Sequence, residues 1–211
     1  LVVGPRRLYR LPEMLEALAA TGEPQLDLEM EDAPQEMPEQ DYARYRREGT
    51  LQAFVNIIEG CNYRCSYCIV PYVRGSEMSI SANEIISQVT EKVGAGASEI
   101  TLLGQNVNSY GATSPDGRDF ADLLRAVSEI DGIERIRFTT SHPKDLSDRL
   151  IDAVRVLPKV CEHIHLPVQS GDDEVLARMN RKYTVSQYLE RVNALREAAP
   201  EIAITTDFLV G

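Results

Sequence analysis

The sequence predicts an α/β fold, a partial (β/α) barrel in which parallel strands alternate with helices. Two patterns after residue 50 predict it. Short apolar runs recur between amphipathic segments with helix-capping residues, and this alternation is typical of parallel βαβ units. Within the runs polar and apolar residues alternate, whereas strands covered on both faces of an open sheet are almost continuously apolar. A barrel lumen lined by the polar positions accounts for both patterns.

The individual strands and helices follow from the same patterns. Ser81 with Glu84, and Thr184 with Gln187, form capping-box sequences at two helix starts. Glycine or proline follows each helical segment and marks its end. The predicted strands are 52–58, 99–103, 135–140, 162–168 and 202–209, and the predicted helices are 81–93, 119–130, 147–157 and 184–198. The barrel is expected to be truncated after the fifth strand.

Polar side chains concentrate toward the carboxyl ends of the predicted strands. They are Asn56, Thr101, Gln105, Arg137, Thr139, Ser141, His165, Gln169, Thr205 and Asp207. The opposite parity is apolar, as at Ile100 and Leu102. Because the sites of such barrels lie at the carboxyl ends of the strands, the residues at the strand ends are candidate functional groups. Arg137 and Thr139 also fit a buried polar network.

Three cysteines, Cys61, Cys65 and Cys68, follow the first strand with the spacing C-x-x-x-C-x-x-C. Three thiolates in one short loop can hold an iron–sulfur cluster through three of its irons, which leaves the fourth iron open to a ligand. A loop that follows a barrel strand opens at the polar mouth. The open iron and the cavity are therefore expected to face each other.

A closed zinc site is the alternative interpretation of this triplet. Structural zinc takes four ligands, usually in two paired clusters. The other candidate donors are Cys161, His142, His163 and His165, and they form no second pair beside the triplet. A zinc site therefore stays an alternative interpretation, although a single triplet of cysteines favours the iron–sulfur cluster. A disulfide framework is not expected in a large, cysteine-poor chain that carries no secretory leader.

Charge and hydropathy limit the function classes. A formal net charge of -11 argues against a protein that simply coats nucleic acid. Residues 11–43 contain many acidic groups, several prolines and no Lys or Arg, which indicates an acidic linker. Basic groups at 44–47 and 178–182 fit a solvated surface or a nucleic-acid contact. No apolar stretch is long enough to cross a bilayer, and reduced thiolates fit a cytoplasmic location.

The cysteine loop, with Tyr67 as the aromatic residue before its last cysteine, resembles the loop of the radical S-adenosylmethionine (SAM) superfamily. Residues 56–75 are similar to its methylthiotransferase family. The segments 102–111, 165–171 and 179–184 resemble the tRNA-modifying MiaB type. The residues Gln-Asn-Val-Asn at 105–108 separate this type from relatives that modify a ribosomal protein. The resemblance covers residues 50–211 and implies a radical SAM barrel.

The resemblance implies an enzyme that methylthiolates C2 of N6-isopentenyladenosine beside the anticodon of tRNA, with a protein as electron donor. It implies a [4Fe–4S] cluster on Cys61, Cys65 and Cys68, and SAM as the second cofactor. The expected contacts to SAM are Tyr67, Gly104, Gln105, Ser141, Gln169 and Asp207. Arg181 is expected to pair with a SAM carboxylate or a tRNA phosphate, or to be an ordinary surface arginine.

The same resemblance divides the chain into three parts. Residues 1–22 are expected to be the tail of an N-terminal methylthiotransferase domain, 23–50 an acidic linker, and 51–211 an incomplete radical SAM core. The family's N-terminal domain holds a second [4Fe–4S] cluster on three cysteines that this sequence lacks. Cys161 is interpreted as a small buried residue. The family's C-terminal RNA-binding domain is also missing, so the chain is expected to be a fragment without full activity.

Two other functions stay open at this point. One is a radical SAM methylthiotransferase that acts on a ribosomal protein or on another modified adenosine. The other is a zinc-binding module without catalysis. The metal that the protein binds and the substrate of the full-length protein would separate these hypotheses.

Overall fold

A computed structural model of the chain describes residues 1–29, 50–114 and 116–210. The strands are β1 (Val2–Val3), β2 (Leu26–Asp27), β3 (Gln52–Asn56), β4 (Ile58–Glu59), β5 (Met78–Ser79), β6 (Glu99–Leu103), β7 (Arg135–Thr139), β8 (His163–His165) and β9 (Ala203–Thr205). The helices are α1 (Leu11–Thr21), α2 (Val70–Val73), α3 (Ala82–Gly94), α4 (Phe120–Ser128), α5 (Asp148–Val156), α6 (Asp173–Arg178) and α7 (Val185–Ala198). The acidic positions 31–41 and the basic positions 44–47 lie outside the described residues.

The main sheet contains β3, β6 and β7 in parallel, and β8 and β9 form a second parallel pair. A bridge between Ile136 of β7 and Val160 continues the first sheet toward β8. Helices α3, α4 and α5 make successive crossovers between strands, and α6 and α7 make the last one. This is the predicted half-barrel, with helices covering the outside of a curved set of parallel strands.

The core lies between these strands and the crossover helices. Ile100 and Leu102 of β6 and Ile136 of β7 are fully buried, as the apolar parity predicted. They share one apolar cluster with Ile85 of α3 and Leu124 of α4. Burial of such side chains contributes about 1.5–3 kcal/mol each, so this layer fixes the positions of the strand ends.

Helix starts agree with the predicted caps in most details. Thr184 and Gln187 form the complete capping box at α7. At α3 only half of the predicted box is present: the Ser81 side chain accepts from the backbone N–H of Glu84, but the Glu84 carboxylate accepts from Gln88 instead of returning to Ser81. Asp119 caps α4 as predicted.

Several elements differ from the sequence expectation. The first strand ends at Asn56, because the chain turns into β4, which pairs antiparallel with β5. The last two strands are shorter than predicted, at three residues each. Helix α6 was not predicted, since its six residues are too few to show a clear hydrophobic period.

The N-terminal elements β1, α1 and β2 form a small unit. β1 pairs parallel with β2, and the buried Asp27 binds Arg7 at 2.9 Å and Arg10 at 2.6 Å. Arg6 donates a 2.8 Å hydrogen bond to the carbonyl of Ser76, beside the cysteine loop. The expected domain boundary at residue 23 falls between α1 and β2, inside this unit, and the three-part division itself stays a prediction.

Across the three described ranges, no helix combines the length and the apolar character that crossing a lipid bilayer requires.

Candidate metal centre and adjoining cavity

The cysteine loop, residues 60–68, follows β4 and is closed at its base by backbone contacts. Gly60 has φ of +74°, and a Cβ at this position would lie 2.2 Å from the carbonyl oxygen of Ser76. Cys61 N–H donates to the Gly75 carbonyl at 3.2 Å. Only glycine allows this approach, so the sequence Gly60-Cys61 itself sets where the first thiol stands.

A distant part of the chain holds the middle of the cysteine loop. The Ser66 N–H donates to the carbonyl of Met179 at 3.1 Å, and the Asn180 side-chain amide donates to the carbonyl of Arg64 at 2.7 Å. Asn180 and Lys182 adopt left-handed backbone conformations, with φ of 60° and 62°. This turn after α6 aims its polar groups at the loop, and it fixes the loop conformation with protein contacts alone.

The three thiols of the loop are free and close enough to influence one another. Burial raises the pKa of the Cys61 thiol, and the neighbouring charges of Glu77, Cys65 and Cys68 raise it further. Sulfur donors of this kind suit an iron–sulfur cluster. Over the described residues no three His, Cys, Asp or Glu side chains surround a single-ion position. The three thiols have the chemistry of iron–sulfur ligands, and their assignment to the cluster stays a prediction.

Arg181 lies against this loop and is not the surface arginine that the sequence left open. It is 6% exposed, and its Nη1 donates to the sulfur of Cys65 at 3.3 Å. Its Nε donates to the hydroxyl of Tyr183 at 3.1 Å. The interpretation of 178–182 as solvated surface is therefore wrong at Arg181, although it holds for Arg178, which is exposed and pairs with Glu174.

A cavity of about 290 Å³ opens at the carboxyl ends of β3, β6 and β7. Its lining residues are Asn56, Ile58, Glu59, Arg74, Leu103, Gly104, Gln105, Thr139 and Thr140. A side chain at Gly104 would place its Cβ 2.1 Å from Cγ2 of Ile58, so glycine keeps this wall open. Two of the predicted SAM positions, Gly104 and Gln105, thus line one cavity.

Four buried polar side-chain atoms that follow β6 and β7 have no hydrogen-bond partner, and one of them, on Gln105, belongs to a residue of the cavity lining. They are Gln105 Oε1, Asn106 Oδ1, Ser141 Oγ and His142 Nε2. All four follow β6 or β7 directly in sequence. Because more than nine in ten buried polar groups in proteins are paired, a concentration of unpaired ones indicates a place where a polar ligand completes the structure.

His142 illustrates the electrostatics of this region. Its ring stacks on Tyr63 of the cysteine loop, with 4.2 Å between centroids, and burial lowers its pKa from 6.5 to about 3. Its Nδ1 accepts from the Lys144 N–H at 3.2 Å, so the proton of the neutral ring lies on Nε2. The unpaired Nε2 is therefore a donor.

A polar network that the sequence did not predict connects the loop with the two strand ends. The Tyr63 hydroxyl donates to Asp145 at 2.6 Å, and the Asn106 amide donates to the other oxygen of Asp145 at 2.6 Å. Glu77, which is 5% exposed, accepts from Ser109 at 2.7 Å. Burial raises the pKa of Glu77. The only sequence signal for this network is the position of Tyr63 between two cysteines.

The remaining predicted SAM positions lie at other points of the mouth. Ser141 is buried and follows Thr140 of the cavity lining, whereas Gln169 and Asp207 come after β8 and β9 in the chain and are joined by a 2.9 Å backbone hydrogen bond. The Asp207 carboxylate pairs with His165 Nε2 at 3.3 Å. Neither Gln169 nor Asp207 lines the cavity.

Tyr67 and Cys161 complete the set of predicted residues. Tyr67 is 46% exposed, and burial of its hydroxyl end raises its pKa to about 12 beside the charges of Cys65 and Cys68. Cys161 lies just before β8, at the opposite end of the strands from the cysteine loop, where its N–H donates to the carbonyl of Ile136 at 3.0 Å. It is half-buried and not fully buried as interpreted from the sequence.

Curated relatives match the whole chain. It is 54% identical over 212 residues to the tRNA-2-methylthio-N(6)-dimethylallyladenosine synthase of Caldicellulosiruptor saccharolyticus, covering 100% of this chain and 44% of the relative. It is 52% identical over 214 residues to the protein of the same name from Geobacter metallireducens, covering 100% of this chain and 47% of the relative. The chain thus spans about half the length of the curated relatives it matches.

Solved structures share the fold at low sequence identity. The cobalamin-dependent SAM radical enzyme OxsB aligns with a TM-score of 0.61 and 16% identity over 79% of this chain and 24% of its own. The radical SAM methyltransferase TsrM from Kitasatospora setae, solved with cobalamin and a [4Fe-4S] cluster, aligns with a TM-score of 0.57 and 17% identity over 85% of this chain and 34% of its own.

The family comparison covers most of the residues described above. Residues 55–211, which include the cysteine loop, the cavity and all the parallel strands of the half-barrel after the start of β3, match the radical SAM superfamily. This agrees with the sequence interpretation of the cysteine loop and with the barrel geometry. The chain therefore belongs to the radical SAM superfamily, which implies a [4Fe–4S] cluster and SAM as cofactors.

Proposed function

We propose that this chain is the radical SAM core of a tRNA methylthiotransferase that modifies C2 of N6-isopentenyladenosine beside the anticodon. The observation that carries the proposal is a loop with three free thiols whose flanking residues, Glu59 and Arg74, line a cavity, in a chain about half identical to tRNA methylthiotransferases. The name of these relatives specifies a methylthio group on dimethylallyladenosine in tRNA, and this is the reaction we assign to the full-length enzyme.

Cys61, Cys65 and Cys68 are the proposed protein ligands of the [4Fe–4S] cluster. Their thiols are free, share one loop and influence one another electrostatically. With only three protein ligands, one iron stays available for the second cofactor. When bound, the cluster and SAM together supply the reductive cleavage that makes hydrogen-atom abstraction from an unreactive carbon possible.

The cavity is the proposed binding site of SAM. Gly104 keeps its wall open, and Gln105 offers an unpaired buried oxygen. Glu59 and Arg74 contribute charges of opposite sign to the lining, which suits the zwitterionic amino-acid end of SAM. Burial in this place lets the chain orient the cofactor and exclude water from the reacting atoms.

Further contacts are proposed at the rim of the same mouth. Ser141 has an unpaired buried hydroxyl next to Thr140 of the cavity wall. Tyr67 lies beside the thiols, and Gln169 and Asp207, which come after β8 and β9, are the proposed contacts to the ribose or carboxylate of SAM.

The remaining parts of the enzyme are proposals about the full-length protein. The relatives are about twice as long as this chain, which leaves room for a domain that holds a second [4Fe–4S] cluster and for an RNA-binding domain. We assign residues 1–22, 23–50 and 51–211 to the N-terminal tail, the linker and the core. A protein electron donor and a cytoplasmic location, where thiolates stay reduced, complete the proposal.

The function is tested with a full-length enzyme that carries this core. Anaerobic incubation with SAM, a reductant and isopentenylated tRNA is expected to give the methylthiolated nucleoside, detected by mass spectrometry of the digested tRNA. A ribosomal-protein substrate is assayed in parallel. Methylthiolation of that protein, with none of the tRNA, would overturn the proposed substrate.

The ligand set is tested by a matched pair of cysteine variants. After anaerobic reconstitution with iron and sulfide, Cys68→Ala is expected to lose the brown cluster absorbance, because three thiolates are needed to hold the cube. Cys161→Ala is expected to keep it, since Cys161 lies at the opposite end of the strands. A colourless wild-type protein with one equivalent of zinc would contradict the cluster and favour a zinc module.

A further inference from the structure

Arg181 is a buried cation that donates a hydrogen bond to a sulfur atom. The residue is 6% exposed. Among the residues that the structure describes, no carboxylate lies within salt-bridge distance of its guanidinium. Its hydrogen-bond acceptors are the hydroxyl of Tyr183, the carbonyl of Pro167 and the sulfur of Cys65. A buried charge is stabilised by an opposite charge, and a cluster bound through Cys65 would place negative charge beside this guanidinium.

The neutral partners hold the guanidinium in one orientation. The Tyr183 hydroxyl donates to the Val168 carbonyl at 2.7 Å, which leaves its lone pairs free to accept from Arg181 Nε. The Tyr183 ring also lies under the guanidinium, 5.3 Å from its carbon. Burial raises the pKa of Tyr183, so its hydroxyl stays neutral. With Nε and Nη2 fixed, Nη1 points at Cys65 at 3.3 Å.

The sulfur at the end of this chain of contacts belongs to one of the proposed cluster ligands. A hydrogen bond from a cation to a ligand sulfur stabilises the more negative, reduced form of an iron–sulfur cluster, and both net charge and such hydrogen bonds set the reduction potential. Electron uptake from a donor protein is the step that this potential controls.

We infer that Arg181 is a positioning residue which, through its hydrogen bond to the Cys65 sulfur, raises the reduction potential of the bound cluster. The inference rests on the proposed cluster at Cys61, Cys65 and Cys68. It differs from the sequence interpretation, in which Arg181 pairs with a SAM carboxylate or a tRNA phosphate. Those roles act only when SAM or tRNA is bound, whereas a contact to Cys65 acts in their absence.

The test uses the reconstituted protein without SAM. Redox titration, followed by the paramagnetic resonance signal of the reduced cluster, compares wild type with Arg181→Met, which keeps the length of the side chain but removes its charge and donors. The expected result is a more negative potential. About a tenfold fall in the equilibrium constant for reduction is expected, which is about 59 mV for a one-electron couple.

Two further variants make the result specific. Arg178→Met removes a nearby exposed arginine that pairs with Glu174, so the reduction potential of this variant should equal that of wild type. Tyr183→Phe removes the hydroxyl that orients Nε and should shift the potential in the same direction by a smaller amount. If Arg181→Met binds no cluster, the reduction potential of Tyr183→Phe tests the inference instead.

The outcomes separate failure of the inference from failure of the proposed function. A wild-type protein that binds no cluster overturns the proposed function. A wild-type cluster whose potential is unchanged in Arg181→Met, or in Tyr183→Phe when Arg181→Met is empty, overturns the inference alone. Weaker SAM binding with an unchanged SAM-free potential would assign Arg181 to the cofactor instead.

Discussion

The two ends of the barrel strands differ in how completely their polar groups are paired. At the amino ends, Glu99 binds Arg135 at 2.8 Å and Arg137 at 3.1 Å. At the carboxyl ends, unpaired buried atoms follow β6 and β7. The ion pairs at the amino ends and the apolar layer stabilise the fold, while the carboxyl ends hold the groups that we propose bind a ligand.

The largest effect on stability is expected from truncating the apolar layer. Leu124 of α4 is fully buried among strand and helix side chains. Leu124→Ala should lower the free energy of unfolding by about 2–5 kcal/mol, because it removes buried surface and leaves a cavity. Urea denaturation of the cluster-free protein measures it. A loss below about 1 kcal/mol would mean that the layer does not stabilise the fold as described.

A smaller loss is expected from closing the cavity wall. In Gly104→Ala the new Cβ would lie 2.1 Å from the buried Cγ2 of Ile58, and relieving this overlap should cost about 1–3 kcal/mol. SAM affinity, measured by equilibrium binding, should fall as well. Gly94→Ala is the matched control, since nothing lies within 4 Å of its Cβ and alanine favours a helix.

The pH dependence of stability should reveal the buried imidazole of His142. Its pKa is lowered from 6.5 to about 3 in the folded state, so between these values the unfolded chain binds the extra proton. Stability is fully present above pH 6.5 and falls on acidification, with a slope from this group of up to about 1.4 kcal/mol per pH unit.

His142→Phe isolates this contribution because it keeps a ring against Tyr63 but cannot titrate. Denaturation of the cluster-free protein at pH 7.5 and 5.5 should show a weaker loss of stability in the variant. Identical losses in both proteins would argue that His142 is protonated in the folded state.

The smallest effect on stability is expected at the unpaired end. Gln105 Oε1 is buried without a partner, so Gln105→Leu should change the free energy of unfolding by less than about 1 kcal/mol in either direction. SAM binding should nevertheless weaken clearly, by isothermal calorimetry. A large loss of stability with unchanged SAM binding would reverse the contrast between the two ends of the barrel.

Local signals in the sequence were enough for the half-barrel and for the position of the cysteine loop. Helix α7 begins at the predicted capping box, and the apolar residues that alternate along β6 are buried as predicted. Gly104 and Gln105 line the cavity because they follow a barrel strand, which periodicity alone can locate.

Contacts between segments that are far apart in the chain could not be predicted from the sequence. Arg181 and Cys65 are 116 residues apart, and no local pattern distinguishes a buried arginine from an exposed one such as Arg178. The packing of Asp27 between Arg7 and Arg10 was hidden for the same reason, since acidic residues followed by prolines have the composition of a linker.

The backbone bonds from Met179 and Asn180 to the cysteine loop bear on attempts to rebuild this centre in isolation. A synthetic peptide of residues 56–75 would contain all three sulfur donors, yet it would lack the turn that shapes their spacing and the cation beside Cys65. We expect such a peptide to bind iron and sulfide weakly. The reduction potential of a cluster formed on it should differ from that in the protein. A designed protein that reproduces this metal centre therefore needs both the cysteine loop and the 179–183 turn, held next to each other by one scaffold.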